Sequence, residues 1–139
     1  MTFELLANPA DVKLRTHGAT LEEAFAGVVT ALSALVGGTA VPTESATAHE
    51  LDLAARDVEG LLFDFLDELI LLQDVEDAVV TRAESVEIEE TADGYRLTAV
   101  VRVAPISADS PLLDVKAPTY SEMLIEGNGE WTVEAVLDV

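Results

Sequence analysis

Two stretches, TLEEAFAGVVTALSALVGG (residues 20–38) and DVEGLLFDFLDELILLQD (residues 57–74), repeat their apolar residues every three to four positions, while most of the surrounding chain alternates with period two. Side chains on one face of a helix recur every 3.6 residues and those on one face of a strand every 2, so neither pattern fits the other element. The chain therefore has to combine helices with strands. In the first stretch Thr20 and Glu23 have the spacing of a capping box, in which side chains satisfy the free N–H groups of the first turn. Leu21, Phe25, Val28, Leu32 and Leu35 form its buried stripe, and Gly37-Gly38 ends it. In the second, Asp57 is the N-cap and Leu62, Phe65, Leu66, Leu69 and Leu72 face a core. Asp57, Asp64, Asp67 and Glu68 fall on the opposite face.

The strands follow from the alternation. Residues 2–6 and 12–16 read as short strands around an Asn8-Pro9 turn, with Val12, Leu14 and Thr16 on one face and Lys13 and Arg15 on the other. Residues 39–47 read as a loop and 49–54 as a strand. Residues 78–90 and 95–103 flank TADG, a hairpin turn with Asp93-Gly94, and Tyr95, Leu97, Ala99, Val101 and Val103 share a face. Two more strands are expected near 112–117 and 119–126, and Asn128-Gly129 turns the chain into the last, 130–139. There Trp131, Val133, Ala135 and Leu137 share a face, which leaves Asp138 pointing the other way. The order predicts an α+β fold of one domain, 1–139, with two helices packed on one layer of a predominantly antiparallel set of sheets.

Charge narrows the function. The chain carries 27 acids against 7 Lys plus Arg, a formal net charge of −20, and half its residues are hydrophobic. Such a surface repels phosphate backbones, so direct nucleic-acid binding is not expected. Self-repulsion on this scale favours a salt-rich setting in which it is screened, and a halophilic cytoplasm is the expected source. Cysteine is absent, which removes disulfides and thiolate chemistry together. No apolar run approaches the ~18 residues of a membrane span, and the first residues lack the pattern of a secretory signal. The expectation is a soluble cytoplasmic protein with no membrane association.

Few residues offer chemistry. His17 and His49 lie in unrelated segments beside no evident nucleophile, and ordinary structural roles are expected of both. The chain has no nucleophile elbow, phosphate-binding loop or HExxH pattern. The acidic stripe of the second helix reads as a solvated face. Asp138 differs, because it lies next to Val139 and its terminal carboxylate on a strand whose other face is apolar. If Asp11 meets it across a sheet, an oxygen-only cluster results, the kind that binds Ca²⁺, Mg²⁺ or Mn²⁺. Against this stands the tendency of terminal acids to fray.

In its ordered set of motifs the chain resembles the archease family, small protein partners of RtcB-type tRNA-splicing ligases. Asn8-Pro9-Ala10-Asp11 stands where that family has His-Thr-Ala-Asp. GATLEEAFAGVVTAL and DVEGLLFDFLDELILL look like its two helices, VKAPTY like its Lys-Ala-x-Thr-Tyr segment, and EAVLDV like its C-terminal ending. The resemblance implies tandem strand-helix-strand-strand modules and a non-enzymatic role. The partner would be an RtcB-type ligase, which such a protein helps to become guanylylated and to turn over repeatedly. It further implies that Asp11, Lys116 and Asp138 are required for ligase activation and that Asp11, Asp138 and Val139 hold a divalent metal. Two residues depart from the pattern: Asn8 and Ser121 replace family histidines, which implies weaker metal binding where those imidazoles orient the acids. The competing readings are a chaperone-like or scaffold protein in RNA metabolism and, last, a small metal-dependent hydrolase.

Overall fold

Strand β1 (Thr2–Ala7) pairs antiparallel with β2 (Asp11–Gly18), as the alternation around Asn8-Pro9 predicts. The computed structural model describes residues 2–7, 11–37, 46–106 and 114–139, so the Asn8-Pro9 turn itself and most of the expected 39–47 loop lie outside the described residues. On β2, Val12, Leu14 and Thr16 are buried and the residues between them are half-buried, the signature of a strand with one face on a core. The buried Thr16 hydroxyl donates to the Ala24 carbonyl at 2.9 Å. Two residues after β2 the chain enters α1 (Leu21–Val36), and the corner is tight. A Cβ on Gly18 would lie 2.6 Å from the Ala24 nitrogen, so no larger residue fits there.

Both helices are capped as expected. The Glu23 N–H donates to Thr20 Oγ1, while the Glu23 carboxylate reaches back to accept from the Ala19 N–H. Gly37 closes α1 in the left-handed region at φ 85°. Asp57 caps α2 (Val58–Glu76) by accepting from the Gly60 N–H at 2.7 Å. Leu62, Phe65, Leu66 and Leu69 are fully buried and Leu72 partly so.

The remaining strands are β3 (Thr47–Ala55), β4 (Ala78–Thr91), β5 (Gly94–Pro105), β6 (Ala117–Gly127) and β7 (Trp131–Asp138). All pairings are antiparallel, and the fold is α+β, but the strands divide into two sheets, ordered β1-β2-β7-β6 and β3-β5-β4. The expectation of both helices on one layer of sheet is thereby corrected. Helix α1 packs against β1 and β2 of the first sheet and β4 of the second, and α2 against β6 of the first and β3, β4 and β5 of the second. A helix touched by two sheets must bury more than one stripe. On α1 burial extends past the apolar stripe on both flanks, over Ala24, Gly27 and Ala31 on one side and Val29 and Ser33 on the other. Phe25 and Phe65, both fully buried, stack with ring centroids 5.8 Å apart and join the helices at the centre of one continuous core.

Two strand-helix-strand-strand modules are present. One, β3-α2-β4-β5, is continuous; the other, β2-α1-β6-β7, receives it as an insertion between α1 and β6. Each module lays its strands in the order first, third, second. A second correction concerns the strands expected near 112–117 and 119–126. Residues 112 and 113 lie outside the described residues, 114–116 are not in a strand, and one strand, β6, runs over Ala117–Gly127. What looked like a break is an irregularity. The register steps from Thr119–Val136 to Leu124–Glu134, so four residues of β6 stand against one of β7, with Glu122 at φ 54°.

Candidate functional site at the end of the four-stranded sheet

The last row of the four-stranded sheet brings together residues far apart in the chain. Asp11, first on β2, lies directly opposite Asp138, last on β7, and Ala117 of β6 flanks Asp138 on its other side. The Lys116 N–H donates to the Asp138 carbonyl at 2.9 Å. Alternation places both aspartates on the face away from the helices, because Val12 and Leu137 beside them point into the core. Asp11 is half-buried, and Asp138 and Lys116 are exposed. Residues directly opposite on antiparallel strands hold their Cβ atoms about 4.5–5.5 Å apart, so the two aspartate side chains leave the sheet from neighbouring positions on one face. Val139 packs its side chain against the edge of the core, which, with the Lys116 bond, anchors the backbone beside Asp138.

Behind this row the same face carries a ladder of ion pairs. Glu134 on β7 accepts from Arg15 Nε at 2.8 Å and lies 3.6 Å from Lys13 Nζ. Arg15 also reaches Glu4 on β1, and Lys13 reaches Glu122 in the β6 irregularity, each at 3.4 Å. The Arg15 guanidinium, by hydrogen bond and by charge, holds the Glu134 carboxyl below the usual carboxylate range despite partial burial, with a smaller contribution from Lys13. Lys13 and Arg15 are thus spent on cross-strand pairing. Arg82 and Arg102 pair with Glu84, and Arg96 forks onto Asp52 at 2.9 and 2.6 Å. Of the chain's 7 Lys plus Arg, only Arg56 and Lys116 make no ion pair with an acid among the described residues. In a chain so acidic, a lysine without an acidic partner among the described residues, with its backbone bonded to that of Asp138, is unusual.

The other candidates separate from this row. His17 lies at the far end of the face, its Nδ1 3.1 Å from Thr132 Oγ1, and His49 sits on β3 beside Thr47. On α2, Asp57 is occupied with its cap, and Asp64 and Asp67 are exposed. Among the described residues no three His, Asp or Glu side chains gather as a metal cage, on α2 or elsewhere. Any ion between Asp11 and Asp138 would therefore take further oxygens from backbone, water or a partner. Ser121 is exposed, its N–H donating to Thr119 Oγ1; Asn8 lies outside the described residues.

One feature escapes sequence reasoning altogether. In the β6 irregularity Tyr120 turns onto α2 and stacks on Phe63, ring centroids 4.4 Å apart and planes 7° from parallel. Phe63 falls between the buried and acidic stripes of α2, and no periodicity marks it as a partner for β6.

Comparison with known proteins agrees with this architecture. Residues 3–139 match the model of the archease protein family (MTH1598/TM1083). The chain is 34% identical to the protein archease of Pyrococcus abyssi, covering 99% of this chain and 98% of that one. It is 36% identical to that of Thermococcus gammatolerans over the same shares. Among solved structures, protein 1598 of Methanobacterium thermoautotrophicum superposes with a TM-score of 0.81 at 28% identity, covering 99% and 98% of the two chains. A Thermotoga maritima protein described as an archease, possible chaperone, shares the fold with a TM-score of 0.65 at 16% identity over 100% and 98%.

Proposed function

This chain belongs to the archease family, and from that premise we propose that it is a non-enzymatic activator of an RtcB-type tRNA-splicing ligase, promoting guanylylation and multiple turnover in a salt-rich cytoplasm. The observation that carries the reading is the last row of the four-stranded sheet: Asp11 opposite Asp138, with the Lys116 N–H on the Asp138 carbonyl. Asp11 and Asp138 would hold a divalent cation, with Val139 supplying a further oxygen. The donor set is all oxygen, which suits Ca²⁺, Mg²⁺ or Mn²⁺, and two carboxylates with few other protein donors leave coordination positions open to water or to a partner. Such an ion would supply positive charge to phosphate oxygens at the ligase. Lys116, exposed and without an acidic partner among the described residues, offers a point charge to a phosphate or an acidic group on the ligase. A net charge of −20 disfavours RNA and favours docking on a basic, RNA-binding protein.

The runner-up is a chaperone-like or scaffold role in RNA metabolism; the description of the Thermotoga maritima neighbour as a possible chaperone keeps it in view. A hydrolase ranks last, since nothing in this row offers a nucleophile or a general base beyond the two aspartates. The deciding measurement is multiple-turnover ligation by the cognate ligase in molar KCl, with and without this protein. Stimulation is expected, and Asp11→Ala, Lys116→Ala and Asp138→Ala should each abolish it while the fold persists. Wild-type protein that leaves turnover unchanged sinks the reading in favour of the scaffold role.

A further inference from the structure

Tyr120 is 58% exposed although one face of its ring lies flat on Phe63. The other face is therefore turned to solvent. The ring is placed with care: four residues of β6 stand against one of β7, and a non-glycine residue, Glu122, takes a left-handed backbone to bring this about. The Tyr120 hydroxyl lies over the first turn of α2, 4.0 Å from where a Cβ of Gly60 would stand. Asp57 is at the same turn, one oxygen committed to the Gly60 N–H and the other without a hydrogen bond among the described residues. Asp64, next to Phe63, is exposed. Burial raises the Tyr120 phenol above its ordinary value, and the charges of Asp64 and Asp57 add to the rise.

We propose that the open face of Tyr120, backed by Phe63 and flanked by Asp57 and Asp64, is a docking site for an arginine side chain of a protein partner. An aromatic face attracts a cation lying over it, most effectively a guanidinium, which stacks flat and directs its N–H groups sideways to carboxylates. Charge complementarity selects the class of partner: a surface of −20 repels nucleic acid and attracts a basic protein. The inference rests on the activator reading only for which protein brings the arginine, and its test needs no ligase.

The test is a titration with a blocked Gly-Arg-Gly peptide, followed by NMR of the Tyr120 and Phe63 ring signals, in about 1 M KCl, where a Debye length near 3 Å screens diffuse attraction. Shifts concentrated on these two rings are expected. Tyr120→Phe should bind as the wild type does, and Tyr120→Leu about two- to five-fold more weakly, the exposed cation–π range. Asp64→Asn, at an exposed position that cannot unsettle the core, should also bind more weakly, and the corresponding lysine peptide should do so on the wild type. An unchanged Trp131 indole signal verifies the fold of each variant. Equal affinity in Tyr120→Leu, shifts spread evenly over other acidic surfaces, or equal binding of the lysine peptide would each overturn the assignment. If ligase stimulation is seen while arginine is not bound, the activator reading survives and this inference does not.

Discussion

The opposed aspartates make a prediction whose sign depends on the medium. Asp138→Asn removes one charge and keeps the shape. Taking about 5.5 Å, the upper end of the Cβ spacing of opposed residues, as the separation of the two charges, Coulomb's law gives about 0.8 kcal/mol at the dielectric of water and about 3 kcal/mol at an effective value near 20. Asp138 is exposed and Asp11 half-buried, so the low end applies, consistent with the ~0.2–1 kcal/mol range for cross-strand pairs. In dilute buffer with a chelator, Asp138→Asn should thus be more stable than the wild type by about 0.5–1 kcal/mol. The gain should shrink in molar KCl, where charges more than ~3 Å apart are screened. Saturating Ca²⁺ or Mn²⁺ should reverse the order, because the wild type gains binding energy that the variant forgoes. Urea denaturation under the four combinations of salt and metal reads all of this. A variant that is less stable with chelator at low salt, or that gains as much from metal as the wild type, would refute the reasoning.

Other perturbations test the fold and its electrostatics. Phe65→Ala empties the place where the two helices meet, and a fully buried phenylalanine lost from such a core costs about 3–5 kcal/mol; a loss under ~1.5 kcal/mol by denaturant titration would contradict the central packing. Glu134 has a depressed pKa in the folded protein, so its contribution is complete above the unfolded value of about 4.3 and fades as pH falls through the lower folded value. The stability of the wild type minus that of Glu134→Gln should therefore be positive and flat near neutrality and decline toward zero in acid; a flat difference down to about pH 2 would show that the ladder adds nothing. With a net charge of −20, cooperative unfolding should move to higher denaturant as KCl rises into the molar range. Full stability in dilute buffer would speak against a halophilic adaptation.

The legible parts of this fold are those written in neighbouring residues. Thr20, Glu23 and Asp57 cap their helices as spaced, and Leu97, Ala99, Val101 and Val103 face one side of β5 as alternation requires. Sheet membership was not legible, because it depends on which strands meet. The clue that α1 is buried over more than its apolar stripe was present, but in Ala24, Gly27 and Ala31 on one flank and Ser33 on the other, residues too small or too polar to read as hydrophobic. The β6 irregularity has no glycine at its left-handed residue, so nothing in YSEM distinguishes it from a turn between two strands. For the candidate site, alternation put Asp138 on the face opposite the core, but Asp11 and Asp138 are 127 positions apart (138 − 11). Their adjacency came only from the resemblance and then from the register of β2 with β7.

The duplicated strand order explains why a site forms where it does. In each module the start of the first strand, the end of the third and the start of the second come to one end of a sheet. In the continuous module that row reads Thr47 opposite Val103, with Val80 beyond, and the two valines are buried. In the interrupted module it reads Asp11 opposite Asp138, with Ala117 beyond and Lys116 beside it. The backbone supplies the meeting point twice, and charged side chains occupy it once. Because these residues come from both ends of the chain, they meet only when the four-stranded sheet has assembled around the inserted module. A cation bound between Asp11 and Asp138 would therefore be bound by the folded state alone, and its binding energy would appear in full as stability of that sheet.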